Sequence, residues 1–164
     1  MADSELEFFE SLPRSRGAAC ALLRTEDERV LLVKPTYKPG WSLPGGVIEQ
    51  RESPLAACRR ECAEEIGFVP RLDGLACVDW IPPDLSPDGR PATIFVFSGR
   101  LPAERFGEVR LPADELSDAV LADTADFGLL LPGGRGRRCA AALKAAASGL
   151  TVYLQDGRPV DWGG

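Results

Sequence analysis

At 164 residues, with 45% hydrophobic and 27% charged side chains, the chain has the size and composition of one globular domain. A formal net charge of −6 excludes a basic surface for long nucleic acid. The absence of histidine excludes Ser-His-Asp and Cys-His catalysis, HExxH zinc sites and histidine bases, but small phosphorylated substrates stay open because a bound metal reverses the local sign.

The opening Met1-Ala2-Asp3-Ser4-Glu5 is acidic and lacks the apolar run of a secretory signal. Residues 1–12 read as an irregular arm or a short helix, with Leu6, Phe8, Phe9 and Leu12 available to dock. Gly17 to Leu23 reads as a buried strand, Thr25 to Glu28 as a turn, and Val30 to Lys34 as a second strand. Pro35 to Gly46 reads as a loop punctuated by prolines and glycines. A helix then starts with Ser53 as N-cap and Pro54 in its first turn, and Gly67 ends it. Leu75 to Ile81 reads as a strand stopped by Pro82-Pro83, and Ala92 to Phe97 is the clearest strand of the chain. Residues 107–123 hold another strand or extended piece, then an acidic loop or short helix around Asp114 to Asp118. Ala125 to Leu131 fits no single period, whereas Gly134 to Ala147 is an alanine-rich helix. Val152 to Leu154 and Pro159-Val160 flank Asp156-Gly157, a hairpin signal, so residues 151–160 are expected to form a C-terminal hairpin. With no repeat or linker, residues 1–164 are expected to form one domain of mixed α/β class.

The five cysteines (Cys20, Cys58, Cys62, Cys77 and Cys139) form no CxxC pair and lie mostly in apolar segments. Buried free thiols in a reducing cytoplasm are the expectation, with no apolar run of membrane-spanning length. The chemistry is concentrated in Arg60-Glu61-Cys62-Ala63-Glu64-Glu65-Ile66-Gly67-Phe68. On a helix Glu61, Glu64 and Glu65 leave one face, while Leu55, Cys58, Cys62 and Ile66 form an adjacent core stripe. Three clustered carboxylates raise one another's pKa unless a cation sits among them. An oxygen-only cluster suits Mg2+ or Mn2+, ions that also bind substrate phosphates.

The full spacing, Gly46-x5-Glu52-x7-Arg60-Glu61-Cys62-x-Glu64-Glu65-x-Gly67-Phe68, resembles the Nudix box at every fixed position. Trp41-Ser42-Leu43-Pro44-Gly45-Gly46 resembles the lead-in usual in that family, and Cys62 stands where Ile, Leu or Val is usual. The resemblance implies an α/β/α sandwich with a mixed central sheet. It implies Mg2+-dependent hydrolysis of a nucleoside diphosphate linked to another moiety, by water attack on phosphorus. It assigns the metal to Glu61, Glu64, Glu65 and the Gly45 carbonyl, and gives Arg60 the task of orienting glutamates. Glu52 is expected to pair within the loop–helix unit, and Glu64 or Glu61 to act as base. ADP-ribose, other nucleotide sugars and nucleoside triphosphates are the substrate classes, in no order.

Beyond the box, Lys34, Tyr37, Trp80 and Glu115 are candidates for substrate contact; Trp80 stands between rim and core, and Glu115 resembles the family's downstream acidic segment. Lys34 and Lys38 flank the loop and read by default as solvated. Gly133 to Arg138 lacks the Gly-Lys-Ser/Thr ending of a P-loop, and its basic residues oppose the helix dipole, so it reads as a solvated helix start. The expected partner is a small phosphorylated, nucleotide-like substrate, without long nucleic acid or membrane, and the apolar N-terminal arm leaves a homodimer open. Two other functions remain: a nucleotide-sensing module that does not hydrolyse, and a hydrolase of a non-nucleotide, isoprenoid diphosphate.

Overall fold

A computed structural model describes residues 2–163; Met1 and Gly164, the ends of the domain expected from sequence, lie outside the described residues. In chain order the regular elements are α1 (Ala2–Ser11), β1 (Arg16–Arg24), β2 (Val30–Pro35), β3 (Gly45–Val47), α2 (Pro54–Ile66), β4 (Arg71–Ile81), β5 (Ala92–Arg100), β6 (Leu116–Ala122), α3 (Phe127–Leu130), α4 (Gly134–Ala147), β7 (Val152–Gln155) and β8 (Arg158–Pro159). Short 3-10 turns occupy Pro83–Leu85, Ala103–Glu108 and Thr124–Asp126.

β1 is the centre of the sheet because Ala19, Ala21, Leu22 and Leu23 leave it apolar on both faces. It runs parallel to β5 from Arg16↔Ala92 to Arg24↔Arg100, and antiparallel to β2 and β3. β4 pairs antiparallel with β5 and parallel with β7, giving the mixed order β6-β2-β1-β5-β4-β7-β8, with β3 attached to β1. Alternation in β2 sends Leu31 and Val33 to one face and Val30 and Leu32 to the other. The first face is covered by α2 through Ala57, Cys58, Cys62 and Ile66, the second by α4 through Cys139, Ala142 and Leu143. The result is the α/β fold with a mixed sheet between helices that the resemblance implied.

The local signals around α2 act as read. Ser53 Oγ accepts from the Ala56 N–H at 3.1 Å, and Gly67 leaves the helix at φ 87°. Likewise Asp156 (φ 50°) and Gly157 (φ 72°) supply the two left-handed residues of a tight β7–β8 turn.

Residues 2–11 take the helical alternative, with Leu6, Phe8 and Phe9 each more than half exposed and the two phenyl rings packed edge-on against each other. Two expectations are corrected. The 35–46 loop is cut short by β3, because Gly45 and Gly46 enter the ladder opposite Cys20 and Ala19. The acidic stretch around Asp114 to Asp118 is neither loop nor helix throughout: β6 begins at Leu116, whose side chain is buried while Ser117 and Asp118 face outward. Among the described residues no helix is long and apolar enough to cross a membrane.

Candidate active site

The carboxylate face of α2 is held against β3 by two glycines. The Gly45 N–H donates to Glu65 Oε2 at 2.8 Å. A Cβ on Gly45 would meet the Ala19 carbonyl and the backbone of Cys20, so no other residue lets the chain pass this close. A Cβ on Gly46 would stand against the Glu61 carboxylate, so that carboxylate packs directly on the loop. Glu65 is only 8% exposed because the helix turns it inward beside Cys62 and Ile66. Burial drives its pKa up to about 7, against the Gly45 hydrogen bond and with help from the charges of Glu61 and Glu115. Glu61 is raised in the same direction, chiefly by burial and against the pull of Arg60.

Arg60 organises the opposite flank. Its Nε and Nη2 donate to Glu52 Oε1 and Oε2 at 2.8 and 3.0 Å, a bidentate pair that holds the Glu52 carboxyl below its ordinary range. Nη1 donates to Glu61 Oε1 at 3.0 Å and to Glu64 Oε2 at 3.2 Å, and Nη2 also reaches the Val47 carbonyl at 3.1 Å. Glu52 Oε2 in turn accepts from the Glu49 N–H at 3.0 Å, closing the loop onto the helix.

The structure therefore separates the three sequence-predicted carboxylates. Glu61 and Glu65, one helical turn apart, face β3, whereas the Glu64 side chain is 56% exposed and turned to Arg60. Among the described residues no group of three or more acidic or thiol side chains is gathered as a ready metal cluster. Two crowded, partly buried, oxygen-only donors still fit a hard divalent cation. Mg2+ is commonly held by one or two carboxylates, with water and substrate phosphates supplying the rest.

A cavity of about 490 Å³ adjoins this unit, lined by Gly45, Gly46 and Val47 on one side and by the start of α4 on the other. Glu61 and Glu65 are not on its wall; they meet it through the two glycines. Its charged lining includes Lys38, Arg135 and Arg138. The reading of Gly133 to Arg138 as a solvated helix start is thus corrected. Arg135 Nη1 donates to the Trp41 carbonyl at 3.1 Å, and Arg138 Nε donates to the fully buried Asp79 at 2.6 Å. Asp79 escaped the sequence reading, although an acid between Val78 and Trp80 in an apolar strand is a legible signal of a buried partner.

The four substrate-contact candidates divide. Tyr37, though 72% exposed, has its hydroxyl raised by partial desolvation and then by the charges of Glu65, Glu115 and Glu61, and Glu115 adds to the raising of Glu61 and Glu65. Lys34 is exposed on β2 with its ammonium 5.8 Å from the Trp41 ring centre, off the cavity wall. Trp80 points away from the face that carries Asp79, is 36% exposed, and does not reach the cavity either. Lys38, four residues after Lys34, is the loop lysine on the wall.

The buried Glu65 makes a stability prediction. Its folded pKa of about 7 exceeds the ordinary 4.5, so its contribution is fully present below about pH 4.5 and is lost as pH rises through 7. At 1.36 kcal/mol per unit the whole loss is at most about 3.5 kcal/mol. Thermal melts in EDTA are expected to show the melting temperature falling between pH 5 and 8, and E65Q flattening that fall. Parallel slopes for the two proteins would reject the assignment.

Comparison with known proteins gives a consistent picture. The family model described as NUDIX domain matches residues 13–140. A CMP-5'-(N-acetyl-N-hydroxy-3-aminopropyl)phosphonate hydrolase of Streptomyces rubellomurinus is 35% identical over 82 residues, 43% of this chain and 38% of that protein. Diphosphoinositol polyphosphate phosphohydrolase 2 of Rattus norvegicus is 42% identical over 62 residues, 37% of this chain and 35% of that protein. The chain thus spans under two fifths of the length of these curated relatives. In fold, it resembles the crystal structure of a MutT protein from Methanosarcina mazei Go1, with a TM-score of 0.66 at 21% identity over 84% of this chain and 99% of that one.

Proposed function

We propose, because the chain belongs to the Nudix family, that it hydrolyses a phosphoanhydride bond in a nucleoside diphosphate derivative by attack of water on phosphorus. The observation that carries this reading is the Glu61–Glu65 carboxylate pair, packed through Gly45 and Gly46 against a cavity that also bears Lys38 and Arg135. Glu61, Glu65 and the Gly45 carbonyl would hold Mg2+, or Mn2+ in its place. When bound, such an ion neutralises charge on the non-bridging phosphate oxygens and lowers the pKa of a coordinated water.

The chain's own residues do the rest. The Gly45 N–H fixes one oxygen of Glu65, so its second oxygen keeps one orientation. Arg60, itself locked by Glu52, fixes Glu61 Oε1 and leaves Oε2 free to take the proton of the attacking water. Glu61 is favoured over Glu64 as base because it is the half-buried one, packed on Gly46. Glu64 shares the Arg60 guanidinium with Glu61, and Tyr37 and Glu115 stand within electrostatic range of the pair. Water adds to phosphorus, the bridging P–O bond breaks, and the released phosphate leaves through the cavity.

The test is a substrate panel of ADP-ribose, a second nucleotide sugar, nucleoside triphosphates and an isoprenoid diphosphate, with and without Mg2+, read by product identity. Metal-dependent release of a nucleoside monophosphate or of pyrophosphate is expected. Binding of a nucleotide with no cleavage of any compound overturns hydrolysis in favour of sensing, and cleavage of the isoprenoid compound alone overturns the nucleotide class.

A further inference from the structure

The charges on the cavity wall do not cancel. Arg138 is neutralised by Asp79 at 2.6 Å, and Arg16 by Asp88 at 3.2 Å. Asp156 is taken by Arg137 and Arg158, both at 2.7 Å. Lys38 and Arg135 remain. Among the described residues neither has a carboxylate within ion-pair distance, and they come from separate elements, the loop before β3 and the first turn of α4. Arg135 spends one nitrogen on the Trp41 carbonyl and keeps the other guanidinium donors for the cavity. Lys38 is lowered by desolvation and then by the charge of Arg135, and Arg135 by burial and then by its neighbour Arg138. Half-buried Arg135 and exposed Lys38 thus present two like charges to one concave wall, and a bound anion would relieve their repulsion. Lys38 also lies within electrostatic reach of Glu65, so this cationic pair stands beside the carboxylate pair and not at a remote site.

From the charge left over we infer that Lys38 and Arg135 form a cradle for the terminal phosphoryl group of the substrate, making the chain selective for anhydrides that end in a phosphate monoester. A terminal phosphoryl group carries about −1.5 to −2 charge at neutral pH, which matches two uncompensated cations. The diphosphate of a nucleotide sugar also carries two charges, but one on each phosphate, whereas a terminal phosphoryl group concentrates both on one phosphorus. No aromatic ring lines the cavity among the described residues, so the wall offers no stacking platform for a nucleobase. This inference rests on the proposed hydrolase reading for its substrate, but the cradle can be tested without turnover.

The experiment is isothermal titration of inorganic tripolyphosphate into the full chain in EDTA, for wild type, K38M, R135M and the charge-keeping K38R. Wild type and K38R are expected to bind alike, and K38M and R135M at least tenfold more weakly, with unchanged circular dichroism certifying the fold. Equal affinity in all four, or no binding by wild type, overturns the cradle whether or not the protein hydrolyses anything. A parallel measurement compares KM for a nucleoside triphosphate and for ADP-ribose. K38M and R135M should raise the first at least tenfold more than the second, and equal rises overturn the selectivity. Loss of tripolyphosphate affinity in the variants of a protein that cleaves no anhydride would leave the cradle standing and reject the hydrolase reading instead.

Discussion

E61Q and E65Q are each expected to lose about 10³-fold or more in kcat/KM on whichever anhydride the wild type cleaves, while remaining folded. A loss of that size corresponds to about 4 kcal/mol of transition-state stabilisation. Glutamine keeps the shape of each side chain and an oxygen that still accepts from Gly45 N–H or from Arg60 Nη1. What it removes is the negative charge that the phosphoryl-transfer site needs, both to hold a divalent cation and to take the proton of water. Burial enlarges the effect, because charge acts more strongly where water is excluded. E64Q serves as the internal comparison. Its carboxylate is more than half exposed and shared with Arg60, so roughly a tenfold loss is expected. Steady-state kinetics on the three purified variants decide the matter. Near wild-type rates for E65Q, or a loss in E64Q equal to the other two, would break the separation of the carboxylates that the structure displays.

That separation shows where sequence reading stops. The α2 helix was legible residue by residue, since Ser53, Pro54 and Gly67 act locally and the stripe of Cys58, Cys62 and Ile66 needs only the helical period. The β7–β8 turn was legible for the same reason, in Asp156-Gly157. Helical geometry puts Glu61, Glu64 and Glu65 on one face, but which of them is buried depends on what packs there. The packing element, β3, is three residues long and has no period of its own. It exists because β1 offers it a ladder more than twenty residues away in the chain. Arg135 and Arg138 were misread for a similar reason. Basic residues at a helix start oppose the dipole, and only distant partners, the Trp41 carbonyl and Asp79, make their burial tolerable. Leu6, Phe8 and Phe9 are the reverse case: apolar residues at helical spacing predict a partner surface, and the described structure gives them none.

D79A is expected to destabilise the protein by about 3–5 kcal/mol, the range for removing one partner of a buried ion pair. Asp79 is fully buried on β4 and joins three elements. Its Oδ2 accepts from Arg138 Nε of α4 at 2.6 Å, and its two oxygens accept from the Gly157 N–H of the β7–β8 turn at 3.0 and 3.1 Å. Alanine would leave a guanidinium, only 12% exposed in its side chain, without a counter-charge and a buried N–H without an acceptor. The geometry leaves no cheap escape. A Cβ on Gly157 would meet Gly134 and Arg138 backbone atoms at 2.6 and 2.9 Å, so the turn is already packed onto α4 and has no slack to reach solvent. The cost should then depend on the stranded charge more than on the lost contacts. D79A/R138M, which removes both members, is expected to be more stable than D79A alone, a coupling that independent sites do not show. Urea unfolding of the wild type, both single variants and the double variant measures all terms of the cycle. A D79A midpoint within about 1 kcal/mol of wild type, or strict additivity in the double variant, would mean that the pair does not hold α4 to the sheet. Because Arg138 also stands on the cavity wall beside Arg135, the same cycle reports on the site. An α4 loosened by D79A carries Arg135 with it, and tripolyphosphate affinity should fall in D79A even under conditions where the protein is still fully folded.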